Sequence, residues 1–348
     1  MPEIRPFARE DLPAVTKLLA DHLEGWDRDV GLIEAAFLDH PWGDPETPSL
    51  VLDDGGTPAG FIGVHPRRLE FDGELVKGSC CTHLVVHPES RGAAGGAQLI
   101  RAVMAGPQEL TWSDTTVPVV ARMWGVFGGR IDYARAADWL IVLRPMRWTG
   151  EVLAGRVRRR PRTDELPVPG FPAHVSRRLT PNARPPTPPD VTGCDAAPAD
   201  IVAAQPEITR RLALHVPYDE ATLAFTLAKL EGMGKRVVRR IVRRRDRPIG
   251  WYAYLEGSNG VSRVIHLAAP AKDADHVLGE LIDHARDGGS SAVWGRYEPH
   301  VDGALRARLA VLGLNSRPAT RARDPKFALA LAGDGSLLTR LDGEWNLL

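Results

Sequence analysis

Arg91-Gly92-Ala93-Ala94-Gly95-Gly96 is the part of this chain best suited to chemistry. One arginine is followed by five small residues, and Leu99, Ile100 and Val103 follow at helical spacing. In front of the loop, Thr82–Val86 is an apolar, β-branched strand ending at His87-Pro88. Strand, small-residue turn and helix start together make an anion cradle. The first helical amides have no acceptor within the helix, and the helix dipole favours negative charge. Missing side chains let a phosphorylated ligand approach the backbone. The same residues would also serve as a tight turn with Arg91 in solvent.

Other chemistry-bearing groups are sparse. Cys80, Cys81 and Cys194 are the three cysteines, too few and too odd in number for a disulfide scaffold, which fits a reducing compartment. Strand neighbours face opposite ways, and no CxxC or HExxH spacing occurs, so no metal is expected. Lys235, Arg236, Arg239, Arg240, Arg243, Arg244, Arg245 and Arg247 form a dense basic run holding one acid, Asp246. It could bind an anion or RNA, but no aromatic-basic RNA motif accompanies it. With 44 basic and 44 acidic residues there is no global field for nucleic acid, and a solvated hairpin face is the simpler reading. No apolar run is long enough to cross a membrane and no signal peptide is visible, so a cytoplasmic protein with no membrane partner is expected.

The elements that must position the loop read in order. A short strand at Ile4–Phe7 leads to a helix capped by Asp11 and carrying Val15, Leu18 and Leu19. A second helix covers Val30–Leu38. Strands at Ser49–Leu52 and Pro58–His65 flank a turn at Asp54-Gly55-Gly56, and Asp72-Gly73 turns the chain toward Cys80. After the loop and its helix come a strand at Leu110–Asp114, a helix at Val117–Phe127 and closing strands at Ile131–Tyr133 and Trp139–Leu143. Thr149–Pro198 loses periodicity and fills with arginine and proline, which reads as a linker. Beyond it come a helix at Glu220–Leu230, a hairpin around Asp246, and a strand at Val261–Leu267. A helix at Asp273–Arg286, a strand at Ser291–Gly295 and a helix at Gly303–Leu312 follow. The last are a helix at Pro325–Leu331 and a strand at Leu337–Leu341. The 348 residues thus divide into 1–148, a linker at 149–198, and 199–348, with a similar order of elements in the two halves.

Residues 3–145 resemble the GCN5-related N-acetyltransferase (GNAT) superfamily. Its loop signature is Arg/Gln, two residues, Gly, one residue, Gly/Ala. Arg91 and Gly96 match its ends, and Ala94 stands where glycine is usual. The resemblance implies an α/β protein of two tandem acyl-CoA N-acyltransferase-like domains, each a mixed, mostly antiparallel sheet flanked by helices. It implies acetyl-CoA as cosubstrate, with Arg91, Gly92, Ala93, Ala94, Gly95 and Gly96 on the pyrophosphate. Leu84, Val85 and Val86 would lie along the pantetheine arm, in a gap between splayed strands. The second half has no glycine between Leu267 and Val277 and carries acids at 273 and 275, so it reads as degenerate.

The implied activity is transfer of an acetyl group to an amine by direct attack. The acceptor would be a small-molecule amine or an aminoacyl group, and the protein a monomer or homodimer. The alternative is a non-catalytic binding or scaffold protein of the same fold. His83 would be the base or a structural sheet histidine. Asp114 would draw in the ammonium group, relay a proton or cap the next helix. Tyr133 would protonate the thiolate or pack in the core. Glu344-Trp345 would reach a cleft between the halves or dock the tail.

Overall fold

The computed structural model describes residues 2–23, 29–133, 135–157, 187–314 and 316–344. They form two compact units that are not consecutive halves of the chain. The first comprises described residues within 1–132, 316–329 and 342–348, and the second those within 133–315 and 330–341.

The first unit starts with β1 (Glu3–Pro6), α1 (Leu12–His22), α2 (Val30–Phe37), β2 (Leu50–Asp54), β3 (Thr57–Phe71) and β4 (Glu74–Val86). It continues with α3 (Gly95–Met104), β5 (Leu110–Ser113), α4 (Pro118–Val126) and β6 (Arg130–Ile131). Asp29 caps α2 by accepting from the Leu32 amide at 3.0 Å. Val15, Leu18, Leu19 and Ile33 of α1 and α2 cover one sheet face with Phe61 and Val85. Leu99, Ile100, Val103 and Met104 of α3 and Trp124 of α4 cover the other with Leu52, Ile62 and Val86.

The second unit holds β7 (Ala137–Val142), α5 (Pro145–Val157), β8 (Val191–Asp195), α6 (Pro198–Thr209), β9 (Leu214–His215) and α7 (Glu220–Gly232). The hairpin of β10 (Arg236–Arg244) and β11 (Arg247–Glu256) follows, then β12 (Val261–Ala268), α8 (Ala274–Asp287), β13 (Ala292–Arg296), α9 (Asp302–Ala307) and β14 (Val311–Leu314). Val277, Leu278, Leu281 and Ile282 of α8 pack on Tyr252, Tyr254 and Val264. The last strand, β15 (Ala319–Ala322), belongs to the first unit, and α10 (Pro325–Ala332) follows it.

The two sheets repeat one plan. The first runs β1-β2-β3-β4-β5-β15-β6 and the second β8-β10-β11-β12-β13-β7-β14. Each is antiparallel except for one central parallel pair, β4 with β5 and β12 with β13. The expected tandem architecture is therefore present, but the closing strands are exchanged. Trp139–Leu143 does not close the first sheet. Its Trp139 and Leu140 pair with Gly295 and Trp294 of β13. The first sheet is closed by β15, whose Thr320 pairs with Trp112 and Arg130. Local pattern cannot reveal this, because a buried strand is equally apolar in either sheet.

Other expectations change for local reasons. Part of the expected linker is structured. Thr149–Val157 continues α5, whose Trp148 and Val152 pack against Leu140 and Trp294. Val191–Asp195 is β8, the edge strand that carries the exposed Cys194. The rest of that stretch, 158–186, lies outside the described residues. Leu337–Leu341 is buried but forms no strand and ends in a turn at Arg340-Leu341, and Val311–Leu314 is strand rather than the end of a helix. The basic run sits on the β10–β11 hairpin. Arg236, Arg239, Arg240, Arg244 and Arg247 are ion-paired there with Glu256, Glu231, Glu280, Asp190 and Glu207. Among the described residues no helix is long and apolar enough to cross a membrane.

Thr320→Pro removes a ladder donor from a strand paired on both sides. Loss of one hydrogen bond plus an orphaned carbonyl should cost about 2 kcal/mol or more. Chemical denaturation of the full chain should show it, and an unchanged midpoint would contradict the position of β15.

Candidate active site

The site begins where β4 and β5 part. Their parallel ladder spans only Gly78–Leu110, Ser79–Thr111 and Cys80–Trp112. Beyond Cys80, β4 continues against β3 alone. A register shift places Phe61 opposite Val85 and Gly63 opposite Thr82, so β4 carries one extra residue at His83-Leu84. His83 takes the left-handed conformation, φ 52°, which a bulge tolerates and a regular strand does not. The bulge also reverses the strand's phase. Cys81 and Val86, five apart, face the same α3 side, while Val85 faces α1.

The loop after β4 forms a 3-10 turn over Pro88–Ala93, and α3 starts at Gly95. The side chains of Arg91 and Ala93 lie outside the described part of the structure. Ala94 precedes α3 with φ 57° and ψ 29°, the left-handed conformation that glycine adopts freely. This explains why the alanine is the odd member of the signature. Gly95 and Gly96 differ in purpose. A Cβ on Gly95 would stand 2.6 Å from Leu52, so glycine is needed for helix and sheet to pack. A Cβ on Gly96 would sit in ordinary van der Waals contact with Val86, Leu84 and Met123 at 3.8–3.9 Å, so packing does not require glycine there.

His83 is only 5% exposed and its Nδ1 lies 3.0 Å from the Thr82 hydroxyl. Its ring meets Phe37 edge-on at 5.4 Å. Burial drives its pKa down to about 3, so it is neutral at physiological pH and holds a proton weakly. Tyr133 belongs to the second unit and is 77% exposed, so it is not a core residue. Asp114 follows β5 and is buried, but it does not cap α4, whose capping residue is Val117. Its Oδ2 accepts instead from the Glu344 amide at 2.8 Å. Burial raises the pKa of both Cys80 and Cys81, which keeps these thiols protonated. Among the described residues no group of three or more His, Cys, Asp or Glu is arranged to hold a metal.

Glu344 completes this corner of the first unit. Its Oε1 accepts from the Ser113 hydroxyl at 2.8 Å, the Asp114 amide at 2.9 Å and the Thr115 amide at 3.3 Å. Its Oε2 accepts from the Thr115 hydroxyl at 2.7 Å. Four donors would ordinarily lower a carboxyl pKa. Burial outweighs them, the Asp114 charge adds to it, and Glu344 is pushed up to about 7. Arg67 of β3 holds the incoming chain through the carbonyls of Asp342 and Gly343 at 2.6 and 3.3 Å. A side chain on Gly343 would overlap the Asp114 carboxylate. Nothing in the spacing around Arg67 or Gly343 marks these roles, because their partners are more than 200 residues away in sequence. Trp345 lies outside the described residues.

The second unit has the matching fork. Its β12–β13 ladder ends at Val264–Gly295. The Leu341 amide donates to the Ile265 carbonyl at 3.0 Å, and the Thr339 hydroxyl lies 2.8 Å from His266 Nδ1. A cavity of about 20 Å³ remains there, room for roughly one water molecule.

Solved structures share the overall fold. A GCN5-related N-acetyltransferase from Anabaena variabilis ATCC 29413 aligns with TM-score 0.60 at 11% identity, covering 93% of this chain and 73% of that one. A conserved protein of unknown function from Enterococcus faecalis V583, described as a probable N-acyltransferase, aligns with TM-score 0.59 at 14% identity, covering 92% and 72%. A GCN5-related N-acetyltransferase from Kribbella flavida gives 0.55 at 15% identity, covering 95% and 74%. At such identities the likeness shows the fold, which is that of the GCN5-related N-acetyltransferases. No protein-family model matches the sequence, and no curated protein does.

Two outcomes follow. Ala94→Gly should raise stability by about 0.5–1 kcal/mol, the left-handed penalty of an L-residue less the added entropy of an unfolded glycine. Urea denaturation reads it, and a loss of stability would contradict the loop conformation. The second concerns pH. Glu344 has a folded-state pKa above its unfolded value, so its contribution to stability is complete below that unfolded value and is lost as pH rises through about 7. Glu344→Gln should therefore lose less stability than the wild type between pH 5 and pH 8. Parallel slopes of urea midpoint against pH would refute the raised pKa.

Proposed function

We propose that this protein is an acyl-CoA-dependent N-acyltransferase that moves an acetyl group from acetyl-CoA to an amine by direct attack. The observation that carries the reading is the pairing of two features in the first sheet. The β4–β5 ladder stops at Cys80, and α3 begins beside the strand end, with Gly96 next to Leu84 and Val86. Such a fork suits a pantetheine arm laid along Leu84, Val85 and Val86. A helix start suits the pyrophosphate, with the 91–96 backbone and the Arg91 charge as its partners. Acetyl-CoA enters as cosubstrate. The acceptor belongs to the class of small-molecule amines or aminoacyl groups, and a cytoplasmic setting fits the free thiols.

Acyl transfer asks for a neutral amine, a polarised thioester carbonyl and a proton route. Strand-end amides of β4 can polarise the carbonyl. His83 is poorly matched to proton transfer near neutrality, because its proton affinity is too low. Asp114 is better placed, at the end of β5. In the second unit the chain from Thr339 to Leu341 fills the matching fork, and the loop before α8 has no glycine, which supports one cofactor site per chain. The second reading, a non-catalytic scaffold, is favoured by the unfavourable backbone at Ala94 alone.

Calorimetric titration with acetyl-CoA tests the proposal. Wild type should bind in the micromolar range, and Gly96→Trp and Arg91→Glu should each lose at least about tenfold in affinity with an unchanged fold by circular dichroism. Wild type that ignores high micromolar acetyl-CoA would end the enzyme reading. Variants that bind normally would show that the cradle is misassigned.

A further inference from the structure

Two buried carboxyls meet where β4 and β5 separate. Asp114 comes from the end of β5, and Glu344 arrives from a segment 230 residues later. They are joined reciprocally: the Asp114 amide donates to Glu344 Oε1 at 2.9 Å, and the Glu344 amide donates to Asp114 Oδ2 at 2.8 Å. Glu344 is 3% exposed and Asp114 1%. The charged and titratable groups around them are Cys80 and Cys81 on β4 and Arg67 on β3. The Arg67 guanidinium is engaged with the carbonyls of Asp342 and Gly343. The hydroxyls of Ser113 and Thr115 point to Glu344.

Resting on the acyltransferase reading above, we propose that Asp114 and Glu344 act as one carboxyl pair that takes the proton released by the attacking amine. Glu344 is buried beside the charge of Asp114, so its proton is held more tightly than on an exposed glutamate. In the transfer step the amine nitrogen forms a bond to the thioester carbonyl carbon. The nitrogen of the tetrahedral adduct loses one proton to the pair. The carbon–sulfur bond then breaks, and the departing thiolate takes up one proton as the pair returns one. Amine and thioester thus become amide and thiol with no oxidant, reductant or metal. Gly343 is part of the arrangement, since any larger residue there would displace Asp114.

The test uses the full chain, acetyl-CoA, and hydroxylamine as acceptor, which is uncharged at neutral pH and so does not itself impose the acid limb. Thiol release is followed against pH, with acetyl-CoA affinity measured on every variant. In wild type the rate should rise through neutrality. Glu344→Gln should move that limb down by at least about one pH unit with acetyl-CoA affinity kept within twofold, because the raised Glu344 carboxyl that sets it is gone. Asp114→Asn should lower kcat by about a hundredfold or more. A merely structural Glu344 would lower kcat with the limb unmoved, which overturns the pair. Absence of hydroxylamine turnover in a protein that binds acetyl-CoA overturns it too. A second measurement needs no turnover and no folded Gln variant. Carbon-13 NMR of carboxyl-labelled glutamate should show one resonance titrating near neutrality and displaced in Asp114→Asn. Wild type that binds acetyl-CoA but shows every glutamate titrating in the ordinary carboxylate range removes the pair and leaves the proposed function standing. Wild type that fails to bind acetyl-CoA removes both.

Discussion

The first unit depends on one interrupted ladder. β4 and β5 share three residue pairs and then separate, although β4 runs on for six more residues. A parallel strand pair normally continues as far as both strands allow, because buried backbone groups need partners. Here continuation is prevented from both sides. The bulge at His83-Leu84 rotates β4 away, and β5 ends at Ser113, where the backbone turns to present the Asp114 and Thr115 amides to Glu344. Every element near the site answers to that divergence. Phe37 of α2 packs edge-on against His83 of the bulge and against Phe61 of β3 on one face, and Leu99 and Ile100 of α3 cover the other.

Placing a carboxyl at such a point has an electrostatic consequence. Removing Glu344 from water disfavours its charge, and four donors only partly offset the cost. The corner therefore stores a proton near neutrality, which an exposed glutamate would not do. His83 shows the opposite result of the same burial. Burial disfavours its charged form, and the imidazole stays neutral. Two titratable groups near one fork are thus driven apart by a single physical cause. Burial opposes whichever form carries charge, so it raises the acid and lowers the base.

The sheets are completed by strands taken from the other half of the sequence. β7 joins the second sheet and β15 the first, each between the strand after the fork and an edge strand. The plan of one parallel pair among antiparallel neighbours is identical in both, yet the forks differ in content. In the second unit the chain near Leu341 binds the free edge of β12 and leaves space for about one water. In the first, Arg67, Gly343 and Glu344 bring a turn to the end of β5 at the base of the fork. A repeated architecture therefore carries different groups at its two forks: a backbone segment at Thr339–Leu341 in one and a buried carboxyl pair in the other.

Much of this was legible from sequence. Amphipathic spacing located α1, α3, α7 and α8, and the β-branched runs located β4, β11 and β12. The small residues at 92–96 marked the helix start, because only small side chains suit a left-handed residue followed by close packing on Leu52. α5 escaped because its packed residues, Trp148 and Val152, form a stripe of only two beside the arginine- and proline-rich stretch. The strand exchange escaped because hydrophobic pattern reports that a strand is buried and is silent on its neighbours. Glu344 and Arg67 escaped for a related reason. Local sequence determined each element's periodicity, caps and turns, since these depend on contacts a few residues apart. Tertiary structure alone decided which sheet each closing strand joins and which carboxyls meet. Those outcomes depend on burial and charge between groups separated by hundreds of residues.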